Sequence, residues 1–151
     1  MASFTKQFFS SSMASVAGEG GVFGLPIEVL QTASYPAIAE YGTPIHTPPE
    51  GDTEIDEIWL YATNVDTAAK TLVVQFGNSG SAYEIIQEIP SKSGLTLIVP
   101  GLVIGKTGSL PTTALYLPNG SQIAAYAGGS SDSDHSKVLI TGYVNRVSGS
   151  V

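Results

Sequence analysis

From Glu54 to Arg146 the chain reads as one short β-strand after another: EIDEIWLYATNV, TLVVQFG, AYEIIQEI, LTLIVPGLVIG, ALYLPNGSQIAAYA and KVLITGYVNRV, separated by Gly, Pro, Asn and Ser. β-Branched and aromatic residues dominate these runs, and turn-forming residues bound them. Strands are expected over 54–63, 70–76, 83–89, 95–99, 102–104, 114–117, 122–127 and 137–146, with Pro100-Gly101 breaking the fourth run in two. Strands so spaced, with no helical periodicity between them, specify an all-β sandwich or barrel.

The fifty residues in front of this run read differently. Residues 1–20 are mostly Ser, Ala and Gly with scattered Phe, and an extended or partly disordered tail is expected there. Residues 21–49 carry Pro26, Pro36, Pro44, Pro48 and Pro49, each of which fixes its own φ and pushes the preceding residue toward extended geometry. Between the prolines stand Phe23, Leu25, Ile27, Leu30, Tyr35, Ile38, Tyr41 and Ile45. Only IEVLQTA has the makings of a helical turn or two. A surface linker is the plain alternative, but linkers are polar and this stretch is not. The expectation is therefore two parts: an extended N-terminal arm over 1–50, whose eight apolar residues lie on a partner, and a β-sandwich over 51–151.

Composition narrows the function. Charged residues make up 13% of the chain, about half the usual quarter, so the surface must be neutral and polar or partly covered by a partner. Six Lys and Arg against thirteen Asp and Glu leave a net charge of −7, which argues against direct contact with nucleic acid, because phosphates are bound by cations. With no cysteine, disulfides and thiolate metal sites are excluded. Lys6, Phe8, Phe9 and the small residues near Ala14 and Ala17 superficially suggest a signal peptide, but SSSMAS at its centre is not an apolar core. No stretch approaches the eighteen or more apolar residues of a membrane-spanning helix.

Candidate chemistry is sparse. The acidic cluster EGDTEID lacks the calcium-loop pattern and reads as a solvated strand edge, with Ile55 and Trp59 turned to the other face. His135 in SDSDHS has Asp132 and Asp134 beside it, but no nucleophile elbow or oxyanion signature. It reads as a polar loop tip, with an ion held by the 128–136 loop as the alternative. Glu84 and Glu88 share one face of a strand and mark its wet side. No catalytic residue, metal ligand or cofactor signature emerges. Trp59, Tyr61, Tyr126 and Tyr143 lie on expected strands and are assigned to the core or an oligomer interface; stacking on sugar rings is the alternative.

The strand-and-turn pattern of EIDEIWLYATNVDTAAKTLVVQFG, then SKSGLTLIVPGLVI, LPNGSQIAAYA and KVLITGYVNRV, resembles small β-sandwich structural proteins of tailed-bacteriophage virions. It is most similar to capsid decoration, or cement, proteins, over about residues 54–147. The resemblance implies a jelly-roll-like antiparallel sandwich, a homotrimer or other homo-oligomer, and attachment to the major capsid protein on the outer capsid surface. A neck or tail component, or a receptor- or carbohydrate-binding module, is the alternative within the same resemblance.

Overall fold

The computed structural model describes residues 3–9, 26–33, 42–48, 54–76, 83–106, 115–117 and 123–148. Eleven strands are described: β1 (Ser3–Phe8), β2 (Ile27–Glu28), β3 (Leu30–Thr32), β4 (Thr43–His46), β5 (Glu54–Asn64), β6 (Lys70–Phe76), β7 (Tyr83–Ile89), β8 (Thr96–Lys106), β9 (Leu115–Leu117), β10 (Ile123–Gly128) and β11 (Val138–Ser148). They form two sheets. The front sheet runs β1-β11-β5-β8-β9, with β2 also on β11; the back sheet runs β3-β10-β6-β7, with β4 also on β10.

Grouping β1 with β2, β3 with β4 and β8 with β9 leaves eight lengths of chain. The front order is then first-eighth-third-sixth and the back order second-seventh-fourth-fifth. Successive lengths wind between two facing sheets in this way in a jelly roll. Pairing is antiparallel except for β3 on β10 and β9 on β8. The expected all-β, jelly-roll-like sandwich is the fold.

Alternation builds the core. On β5, Ile58, Leu60 and Ala62 point inward and are buried, as are Val138, Ile140 and Val144 on β11. Facing them from the back sheet are Leu72, Val74 and Phe76 of β6 and Ile123, Ala125 and Ala127 of β10.

The separation into arm and sandwich does not match this arrangement. The described parts of residues 1–50 supply β1, β2, β3 and β4, all paired into the sheets. Ile27 and Ile45 are core residues, as are Phe9 and Val29; Leu30 sits half-buried on β3. Proline does not keep this stretch out of the sheets: Pro44 lies inside β4, on a short strand opposite Ala124, where a register shift interrupts the ladder. IEVLQTA, the one stretch that could have made a helical turn or two, contributes two short strands. Phe23, Leu25, Tyr35, Ile38 and Tyr41 lie outside the described residues.

One further expectation changes. The run through Pro100-Gly101 is one strand, β8, and not two. Register shifts between Ile58 and Trp59 and between Leu60 and Tyr61 absorb the extra residues, with Gly101 at φ +80. The 128–136 loop is also tied down. Gln31 exchanges backbone hydrogen bonds with Ser133, and its side-chain amide donates to the Ser131 carbonyl.

Candidate functional site: the outer face of the front sheet

The inward side of the front sheet is core, and its outward side is also largely apolar. Register places the outward residues in rows across the strands. One row is Phe8, Tyr143, Trp59 and Pro100, from β1, β11, β5 and β8. On one side of it lies the row Lys6, Asn145, Glu57 and Val103, then Phe4, Val147 and Ile55. On the other side lie Thr141, Tyr61 and Leu97, then Leu139 and Thr63. Phe4 is 76% exposed, Phe8 50% and Leu97 43%, while Trp59, Tyr61 and Tyr143 are half-buried.

Local contacts order the side chains of this face. A Cβ at position 101 would stand 3.1 Å from Trp59 Cζ2, so the indole lies close over a residue that must be glycine. Trp59 Nε1 donates to Glu57 Oε1 at 2.6 Å, and Asn145 Nδ2 donates to the same oxygen at 3.2 Å. The Lys6 ammonium sits 4.3 Å from the centroid of the Tyr143 ring. Lys6, Glu57 and, beside Leu139, Glu28 of β2 are the charged side chains among the described residues of these rows. A chain of net charge −7 thus presents a face that carries little of that charge.

Behind the face, one buried ionic cluster joins the sheets. Asp56 of β5 is fully buried, where the sequence suggested a solvated edge. Arg146 of β11 donates to both its carboxylate oxygens, Nε to Oδ1 at 2.8 Å and a terminal nitrogen to Oδ2 at 2.9 Å. His46 Nε2 of β4 lies 2.6 Å from Oδ2, so a back-sheet strand is clamped to two front-sheet strands. Burial pushes the Asp56 carboxyl upward, but the hydrogen bonds from Arg146 and His46 outweigh it and hold the group below its ordinary value. Phe9 packs its ring 6.1 Å from His46 and over Gly142, where a Cβ would clash with the Trp59 carbonyl oxygen at 2.1 Å.

The aromatic residues singled out from sequence therefore divide. Trp59, Tyr61 and Tyr143 meet on the outer front face. Tyr126 is fully buried on β10, opposite Val73, on the side of the back sheet away from the central core cluster. Phe4 and Phe8, which complete the front face, were not picked out, because only the pairing of β1 with β11 brings them there.

The other candidates sit apart. Glu84 and Glu88 lie exposed on β7, an edge strand of the back sheet. Asp132 Oδ1 accepts from the Ala33 amide at 2.9 Å, and His135 Nδ1 lies 3.3 Å from Glu28 Oε2. Among the described residues no group of three or more His, Asp or Glu is placed to hold a metal, and no helix is long and apolar enough to cross a membrane. Comparison with protein-family models, with curated proteins and with solved structures gave no match.

Proposed function

We propose that this protein is a structural attachment protein of a tailed-phage virion, a capsid decoration protein that self-associates and seats on major capsid subunits. The observation that carries the reading is the open apolar face of the front sheet. Contiguous exposed apolar patches on small domains mark surfaces that meet another protein. The sequence resemblance supplies the identity of the particle, and jelly rolls serve in viral capsids, which is support by analogy of fold. Several weak contacts from one oligomer would act together on a repeating shell, so avidity exceeds any single contact.

Quantifying the protein in purified virions tests this. Copies in proportion to the major capsid protein support decoration; a few copies per particle move the protein to the neck or tail. Its absence from virions overturns the reading.

A sugar-binding role is the second reading, favoured by the ring row Phe8–Tyr143–Trp59. Two features weigh against it. Lys6 covers the Tyr143 ring, and Glu57 already accepts hydrogen bonds from Trp59 and Asn145. Glycan binding that disappears in Trp59→Ala would reverse that preference.

A further inference from the structure

We infer that the occupant of the front face is a second copy of this chain, related by a two-fold axis that runs along β11. This deepens the self-association in the proposed function and names its surface.

The inference follows from the rows. When two identical sheet faces meet, the axis relating them must lie in the plane between them. An axis along β11 leaves β11 facing its own copy and exchanges its two neighbours, β1 and β5. Lys6 and Glu57 flank Asn145 in one row, so this operation sets Lys6 of each copy against Glu57 of the other. The same operation sets Phe8 against Trp59 and Phe4 against Ile55. In these three pairs cation meets anion, ring meets ring and apolar meets apolar, while Glu28 falls against Thr63 and the β8 residues lie beyond the edge of the copy's sheet. An axis along β5 would instead exchange β11 and β8, leaving Lys6 without a carboxylate.

Chains carrying −7 repel one another, and the two symmetric contacts of Lys6 with Glu57 offset that repulsion where the faces meet.

The test uses the full chain and two charge reversals. Wild type should sediment as a dimer at micromolar concentrations. Lys6→Glu puts two carboxylates together in each of two symmetric contacts, and Glu57→Lys puts two ammonium groups together. Each variant alone should weaken the dimer by at least ~10-fold. Mixing the two variants should restore association. In the mixed dimer the introduced carboxylate of one chain faces the introduced ammonium of the other, and the second contact keeps the native pair of Lys6 with Glu57. A change acting only on the fold of each subunit could not be rescued by mixing.

Failure of the mixture to associate overturns the inference, as does a wild-type chain that stays monomeric. A monomer that nevertheless binds capsids assigns the face to the shell and leaves the virion reading standing. A dimer that ignores capsids supports the inference and removes the virion reading.

Discussion

The two sheets of this sandwich differ in how their outer sides are covered. On the back sheet, Tyr126, Ala124, Val73 and Gln75 face away from the central core and are still buried, and Ile86 stands open on the edge strand β7. On the front sheet, Phe4, Phe8 and Leu97 stand open, with Trp59, Tyr61 and Tyr143 half covered. Similar side chains thus carry different energies. The ring of Tyr126 holds the fold together, whereas those of Trp59 and Tyr143 keep part of their apolar surface in water until something covers them. The open front face is the surface that the proposed self-association would use.

The largest effect that could break this contrast comes from truncation. Removing residues 1–50 takes away β1 to β4 and the core residues Phe9, Ile27, Val29 and Ile45, so the remainder should give no cooperative unfolding transition. A folded 51–151 fragment would restore the separate arm that the sequence suggested.

Next comes Tyr126→Ala, which should cost about 3–5 kcal/mol by cavity formation and leave self-association intact in whatever fraction remains folded. Denaturant titration and sedimentation on one sample read the two effects separately.

Arg146→Met comes after it. It leaves the buried Asp56 carboxylate with His46 alone and should cost about 3 kcal/mol at neutral pH. Because the folded Asp56 carboxyl titrates below its unfolded value near 3.8, its contribution is complete above that pH and is lost as pH falls through the lower folded value. Wild type should therefore lose stability in that acid window more steeply than Arg146→Met. Equal acid slopes would remove the cluster as a stabilising element.

The smallest expected cost to the fold is at Trp59, where Trp59→Ala should take roughly 1–2 kcal/mol from stability, because the indole is only half-buried. Its effect on association should be far larger than that of Tyr126→Ala. An inverted ranking would erase the distinction between the closed and open faces.

Much of the fold was legible from residues alone. Alternation is a local signal, so the strands from Glu54 onward could be read along the chain, and the all-β class with them. The first four strands could not, because they are short and interrupted by proline, and their partners β10 and β11 lie about a hundred residues away. Asp56 illustrates the same limit: its acidic neighbours suggested solvent, while Arg146, which makes its burial tolerable, is 90 residues distant. The front face was half legible. Trp59, Tyr61 and Tyr143 stood out by type, but Phe4, Lys6 and Phe8 join them only through the register of β1 on β11.

Trp59 is the only tryptophan in the chain and stands in the central ring row of the open face, so its fluorescence reports on that face directly. Raising the concentration of the full-length protein should shift its emission to the blue and protect it from acrylamide, in step with the appearance of dimer in sedimentation. Emission and quenching that stay constant while dimers form would place the interface elsewhere and contradict the assignment of the front face.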